Sequence, residues 1–524
     1  MSAGTIGSVD LMVDRHVRSG RGSHAALVEV SVDGDRRSLS YLRLQRETEA
    51  IAEQLAVRAQ GRELRIAIVG SATLETVAWW LGAMRGGHLV FLVNPDLPAA
   101  QYPPMLGTFR PDVLLGDRTA SNLDCEPMTL GQATVAEATV AGAYFPEAHL
   151  PENDSRHTED ARPALVLASS GSTGRPKLCV HAHRAFWGFE RYVSRAVWGM
   201  NAGDRVLASG GPFFSFGLQG IHPPLSVGAT AVLLPQWREH GDFLKVIEAE
   251  CVSVFLAVPT LYHLLQSRTD AALLQRRTRS LRVAMSAGEH LPAIVRRRWE
   301  THTGVPMCDS IGTTETFVPY LSETVEGGSG NGLRDVGCFD YEMRFTETAG
   351  HGGDTVFMAV IKSAYMMLGY LGDDGRLMRS KDRFLTHDLF MLKQSGWHFV
   401  SRRSERVKVS GLWVSPQELE EFLLQDERVL KAAALPLETD EGLQRLRAFV
   451  VLRPEESGGQ ERVAGQLLAR AREMLRPKAL CPDKVCVVED LKASPTGKFK
   501  RTEFRTTVQS LLQGSSGFNA EAFS

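Results

Sequence analysis

The sequence predicts an α/β architecture, with a large N-terminal domain of layered sheets and helices followed by a small C-terminal α+β domain. Three observations lead there. The chain has 524 residues, well past the roughly 250–300 at which a single hydrophobic core stops growing. Short apolar runs alternate with amphipathic stretches over most of its length, each run ending in a small-residue turn, which is the rhythm of a parallel sheet covered by helices. Near Ser401 the texture changes to a charge-dense stretch, SRRSERVKVSG, before a sharply started helix. The domains are therefore expected over residues 1–403 and 404–524.

In chain order, LRIAIVG reads as a strand, ETVAWWLGAMRGG as a helix stopped by Gly86 and Gly87, and HLVFLVNP as a second strand. The rhythm returns in the strands DRVLASG and GATAVLLP, the helix DFLKVIEAE, the strands SVFLAVP and LRVAMSAG, a further helix, and the strand PMCDSIG. Beyond the boundary, Ser415-Pro416-Gln417-Glu418 has the form of a capping box with Pro at the first helical position. The helix PQELEEFLLQ follows it. Two strand-like runs (LKAAALPL and LRAFVVLR), the helix RVAGQLLARAREML and the run KVCVVED complete the small unit. In doubly wound sheets ligands gather outside the carboxyl ends of the strands, so the glycine-rich turns are where chemistry is expected.

Composition narrows the function classes. Lys and Arg total 59 against 61 Asp and Glu, a formal charge of −2, with 43% hydrophobic and 23% charged residues. That is an ordinary globular chain without the basic excess that a nucleic-acid backbone or an anionic membrane selects, so neither partner is expected. Cysteines stand at 125, 179, 251, 308, 338, 481 and 486, with no CxxC pair and no zinc-ligand spacing. They are expected to be reduced. The first twenty residues carry charges where a signal peptide needs an apolar stretch. The longest apolar run, Val252 to Leu265, is interrupted by Ser253, Pro259, Thr260 and His263 and is too short to span a bilayer. A cytoplasmic location is expected.

The strongest local signal is Ser169-Ser170-Gly171-Ser172-Thr173-Gly174-Arg175-Pro176-Lys177, directly after the apolar run ALVLA. Glycines let backbone N–H groups approach a polyanion, hydroxyls donate hydrogen bonds and cations neutralise charge. A Ser/Gly-rich turn with no ligand has the same composition. It is not a Walker A loop, because Arg175 and Pro176 separate the last glycine from the lysine. Further along stand Ser286-Ala287-Gly288-Glu289, Asp309-Ser310-Ile311-Gly312-Thr313-Thr314-Glu315, Thr386-His387-Asp388, Arg402 followed by Lys408-Val409-Ser410-Gly411, and Pro495-Thr496-Gly497-Lys498 followed by Arg501.

Taken in that order, these six segments resemble the motifs of the adenylate-forming superfamily of acyl- and aryl-CoA ligases, peptide-synthetase adenylation domains and luciferases. The resemblance runs from about Leu27 to Arg501. It implies ATP and Mg²⁺ as cofactors, with Ser169–Lys177 holding the β- and γ-phosphates, Glu315 ligating the metal and Thr314 bonding the α-phosphate. It places Ser286–Glu289 and Asp309–Thr313 on the adenine side, Asp388 and Arg402 on the ribose, and Lys498 between the attacking carboxylate and the α-phosphate. Such chemistry needs positioning and charge neutralisation more than covalent help.

Gly210-Gly211-Pro212-Phe213-Phe214-Ser215-Phe216-Gly217-Leu218, and the hinge version SGLWVSPQELEE, look like the corresponding stretches of benzoate-CoA ligases. Aromatic faces between glycines suit an aryl ring, so Phe214, Phe216, Gly217 and Tyr192, with Trp187 beside them, are expected to line an aromatic-acid pocket. A buried aromatic cluster would read the same way. Coenzyme A is the implied acyl acceptor, with Arg403, Ser404, Lys408, Ser410 and Gly411 forming the hinge and thiol tunnel. The chain departs from the family at Ser404, where an Asp hinge is usual, and at His387, where Gly is usual. Those departures keep open a carrier protein as acceptor, an aryl amine with nitrite as the activated acid, and a catalytically silent ligand-binding relative. The oligomeric state is left open.

Overall fold

The computed structural model describes residues 7–116, 126–128, 160–169, 176–328, 330–349, 354–380, 383–409, 412–438, 444–453, 456, 459–491, 504–506 and 508. Two large sheets draw their strands from residues 25–379. One has eight strands, in the order Leu377–Arg379, Gly369–Leu371, Lys177–Ala182, Pro163–Ser169, Leu89–Val93, Arg65–Val69, Val113–Leu115 and Glu126–Met128. The other has nine, in the order Arg334–Asp335, Leu321–Ser322, Met307–Ile311, Val283–Ser286, Val254–Ala257, Arg205–Ala208, Thr230–Leu233, Ala25–Val30 and Arg36–Ser40. The strand–helix–strand rhythm is thus divided between two sheets with parallel centres; the nine-stranded sheet is antiparallel at both edges and the eight-stranded one only at the edge that carries Lys177–Ala182, since Glu126–Met128 runs parallel to its neighbour.

The apolar runs explain the layering. Ile66 and Ile68 join one buried cluster while Ala67 and Val69 join another, and Val254 and Leu256 part in the same way from Phe255 and Ala257. Successive side chains of a strand point to opposite faces, so a run that is apolar at every position must be covered on both sides. The cluster shared by the two sheets lies between them and contains the helix Leu74–Arg85, buried almost all round, with Trp79 and Trp80 at its centre. Gly86 caps that helix and Gly87 takes φ +76°, as the Gly-Gly stop predicts.

A four-stranded antiparallel sheet, Asp340–Ala349, Asp354–Lys362, Phe384–Lys393 and Gly396–Arg402, follows; the sequence reading did not identify it. From Val407 onward, two further clusters form from local residues alone, around the sheet Val429–Glu438, Gln444–Leu452 and Val485–Val487 and the helices Pro416–Leu424 and Gln460–Met474. The helix Pro416–Leu424 starts where the capping box predicts, but its cap is only half formed. Ser415 Oγ donates to Gln417 Oε1 (2.5 Å) instead of accepting from the helix, while the Glu418 carboxylate takes the Ser415 backbone N–H. Gln417 Nε2 is itself bound to Glu405 Oε2 (2.7 Å), and this chain of side chains ties the helix to the segment before it. Among the described residues no helix is long and apolar enough to cross a membrane.

Candidate functional site

The hydroxyl- and glycine-rich segment is flanked by two paired strands. Strand Pro163–Ser169 runs antiparallel to Lys177–Ala182 with Ser169 opposite Lys177, so those two residues stand at its feet. Ser170, Gly171, Ser172, Thr173 and Gly174 lie outside the described residues. Lys177 Nζ sits 5.3 Å from the ring centroid of Tyr370, whose hydroxyl donates to Glu315 Oε1 at 3.0 Å. Two residues far apart in sequence, the loop lysine and the motif glutamate, are thereby brought to one tyrosine. The Glu315 backbone carbonyl also accepts from Met367 N–H (2.9 Å).

On the second sheet, Ser286 is registered against Asp309, which sets the small-residue turn beside the acidic motif. Ser286 and Ala287 are buried and Gly288 takes φ +85°. Glu289 Oε2 accepts from the backbone N–H (3.2 Å) and Oγ1 (2.7 Å) of Thr260, in the first turn of helix Pro259–Arg268. Its carboxylate therefore complements that helix's N-terminal dipole. Burial pushes the Asp309 carboxyl up to about 7, helped by Glu323 and opposed by Arg296 and His290. Among the described residues Asp309 Oδ1 and Thr313 Oγ1 are buried without a hydrogen-bond partner, whereas Ser310 Oγ is bonded to Ser322 Oγ (2.7 Å). Ile311 pairs with Leu321. A Cβ on Gly312 would lie 3.1 Å from Pro319 Cα, so the turn can close tightly there. Thr313 and Thr316 lock that turn through reciprocal bonds of 3.0 Å, Thr314 and Glu315 stay half-buried within it, and Phe317 ends it at φ +60°.

Asp388 lies opposite Arg402 in the antiparallel sheet. Its Oδ1 accepts from Arg402 Nε (3.0 Å) and its Oδ2 from Tyr320 OH (2.5 Å). Burial raises this carboxyl above its ordinary range against the pull of Arg402. Tyr320 N–H bonds the Ile311 carbonyl (2.9 Å), which couples the pair to the Asp309–Glu315 motif. His387 is exposed and holds φ +60°, the left-handed backbone that glycine adopts without strain.

The aromatic turn is tied to the same motif. Gln219 Nε2 donates to the Phe317 carbonyl (3.4 Å). Phe213 and Phe214 meet edge to face at 4.7 Å; Phe214 remains 36% exposed, while Phe216 packs on the central core. Gly217 is dictated by space, because a Cβ there would strike the Gly211 carbonyl oxygen and lie 2.5 Å from the Gly210 carbonyl carbon. Tyr192 faces Tyr365 at 5.7 Å, whereas the Trp187 ring carries the Arg15 guanidinium at 5.9 Å. Behind Phe317 stand His181 (5.0 Å) and a stacked His222 (5.1 Å). Burial drives the first imidazole down to about 3 and the second well below its usual value, so both are neutral.

Arg403 and Ser404 are exposed in a short turn, and Lys408 is exposed on the hairpin Val407–Val409/Leu412–Val414. Ser410 and Gly411 lie outside the described residues, as does Lys498. Across the domains, His290 Nε2 is 2.8 Å from Glu421 Oε1, which places the small domain beside the Ser286–Glu289 turn. Among the described residues no group of three His, Cys, Asp or Glu side chains could hold a metal. A single carboxylate such as that of Glu315 nevertheless suits Mg²⁺, which takes one or two carboxylates and fills its sphere with other oxygens and water. The unpartnered Asp309 and Thr313 oxygens likewise suit a polar ligand. Sequence reasoning missed Tyr370, Tyr320, Phe317 and Gln219; none sits in a recognisable pattern, and each acquires meaning only from the residue it touches.

The AMP-binding enzyme family model matches residues 13–340, and the model of the AMP-binding enzyme C-terminal domain matches residues 418–498. The chain is 30% identical over 522 residues to a benzoate–CoA ligase of Thauera aromatica, covering 95% of each. It is 28% identical to a 4-hydroxybenzoate–CoA/benzoate–CoA ligase of Rhodopseudomonas palustris, over 93% of this chain and 92% of that one. A crystal structure of a benzoate CoA ligase from Burkholderia xenovorans LB400 superposes with TM-score 0.80 at 24% identity, over 95% of this chain and all of the other. With one model matching more than half of the chain and a relative of this identity along nearly its full length, the chain belongs to the AMP-binding enzyme family.

Proposed function

We propose that the chain activates an aromatic carboxylic acid with ATP as an acyl adenylate, releasing pyrophosphate, and then transfers the acyl group to coenzyme A. Family membership carries the coarser part of this reading, an AMP-forming acid–thiol ligase that uses ATP, Mg²⁺ and coenzyme A. The observation that carries the site assignment is the convergence of Lys177 and Glu315 on Tyr370. It sets a cation and a carboxylate on one tyrosine, beside the strands that flank the hydroxyl-rich segment.

In this reading that segment and Lys177 hold the β- and γ-phosphates, and Thr314 donates to the α-phosphate. Asp309 faces the adenine ring beside Ser286–Glu289, where its unpartnered Oδ1 can accept from an amino group. Asp388, steadied by Arg402 and Tyr320, accepts from the ribose hydroxyls. Bound Mg²⁺ would neutralise phosphate charge at Glu315 as pyrophosphate departs. Phe214, Phe216, Gly217 and Tyr192 line the aryl slot, and neutral His181 and His222 behind Phe317 place no charge against it. Lys498, placed by its motif on a domain we divide at Arg403-Ser404, neutralises charge between the attacking carboxylate and the α-phosphate. The hinge at Ser404 then carries the Lys408–Gly411 segment to the adenylate for thiol capture.

The relatives named above are CoA ligases, which favours coenzyme A over a carrier protein, an aryl amine after nitrite activation, or silent binding. Pyrophosphate release across a panel of aryl acids and nitrite, with CoA, a carrier protein, an amine or no acceptor, followed by mass spectrometry of products, tests the reading. Acid-dependent pyrophosphate release ending in an aryl-CoA thioester is expected. Release with nitrite alone, or no release with any aryl acid, overturns it.

A further inference from the structure

We propose that Tyr370 is a positioning residue for the metal site: its hydroxyl orients the Glu315 carboxylate toward a divalent cation, and its ring separately seats Lys177. The inference rests on the reading of Glu315 as a metal ligand. Tyr370 lies in MMLGYLGDD, and this segment grips Glu315 at two points. Met367 N–H holds the Glu315 backbone carbonyl (2.9 Å), and Tyr370 OH holds Oε1 of its side chain (3.0 Å).

The segment is itself anchored to the strand that carries Lys177. Leu368 N–H donates to the Val180 carbonyl (2.7 Å), and Tyr370 is registered against Cys179. On its other edge Gly369, at φ +153°, passes so close to Met378 that any Cβ would strike the Met378 carbonyl oxygen. Tyr370 therefore has little backbone freedom, and its phenol is delivered to one place. A glutamate has three side-chain torsions to fix before it can serve a cation. A donor on one oxygen fixes them and leaves lone pairs of the carboxylate for the metal. The ring face supplies a second, independent contact, a cation–π seat for the Lys177 ammonium.

The two contacts are separable. In the full-length protein, binding of Mn²⁺ in the presence of a non-hydrolysable ATP analogue is followed by electron paramagnetic resonance, with no turnover involved. Affinity for the same analogue in EDTA is measured by calorimetry. Tyr370→Phe keeps the ring and removes the hydroxyl, so Mn²⁺ affinity should fall about tenfold or more, as for loss of other outer-shell partners, with metal-free analogue affinity unchanged. Tyr370→Leu should weaken metal-free binding as well. Wild-type Mn²⁺ affinity in Tyr370→Phe overturns the proposal; so does an equal loss of metal-free binding in both variants with a lowered Tm, which marks a structural role. Glu315→Gln separates the underlying reading. If that variant loses Mn²⁺ and Tyr370→Phe does not, only the tyrosine's role fails, whereas wild-type Mn²⁺ binding in Glu315→Gln removes the metal assignment itself.

Discussion

Nucleotide affinity should depend on pH through Asp309, and Asp309→Asn should abolish that dependence. Burial holds this carboxyl up at about 7, and its Oδ1 has no partner among the described residues. A group titrating at 7 is roughly nine-tenths ionised at pH 8 and one-tenth at pH 6. If the carboxylate accepts from the adenine amino group, affinity should fall by up to about tenfold, or about 1.4 kcal/mol, between those values. The amide oxygen of asparagine accepts at every pH, so the variant should lack this component. The assay is calorimetric titration of ATP from pH 6 to 8 for both proteins, because the ratio of their affinities cancels the ionisation of the phosphates. Parallel profiles would refute the placement of Asp309 at the base. Stability supplies an independent check of sign. A carboxyl whose pKa is raised in the fold keeps a proton that the unfolded chain has already released, so stability is lost as pH rises from about 4 through about 7. Asp309→Asn should therefore gain in Tm relative to wild type as pH rises through that window.

Gly217→Ala should distort the aromatic turn, since its Cβ would meet backbone atoms that cannot rotate away. A cost of about 1–3 kcal/mol is expected, with acid-dependent pyrophosphate release lost before ATP binding; unchanged KM for the acid would remove this turn from the pocket. His387→Gly should raise stability by about 0.5–1 kcal/mol, the strain of a non-glycine residue at positive φ less the entropy that glycine loses on folding, read as a higher Tm. Lys498→Ala should lower acid-dependent pyrophosphate release by about a hundredfold or more while ATP binding measured by calorimetry persists. Unimpaired release would take the lysine out of the reaction.

The sequence by itself determined the local elements and the order of the motifs. LRIAIVG and SVFLAVP read as strands and are strands covered on both faces, and the Gly86-Gly87 stop ended its helix as expected, because these outcomes depend largely on neighbours a few residues away. Lys177, Glu315, Asp388 and Arg402 were legible because their residue types recur in an ordered pattern. Their mutual geometry was not. That the strands divide into two sheets, that Glu315 and Lys177 share one tyrosine, and that Tyr320 couples Asp388 to Ile311 are contacts between segments tens to hundreds of residues apart. Ser415 shows the same limit at short range, its predicted cap bond given up to Gln417, which in turn holds Glu405. Periodicity tells a strand which faces to bury but not which strand will lie beside it, and it leaves a lone Gly-Tyr without meaning. Only the packed tertiary structure, by bringing that tyrosine to the carboxylate of Glu315, gave it one.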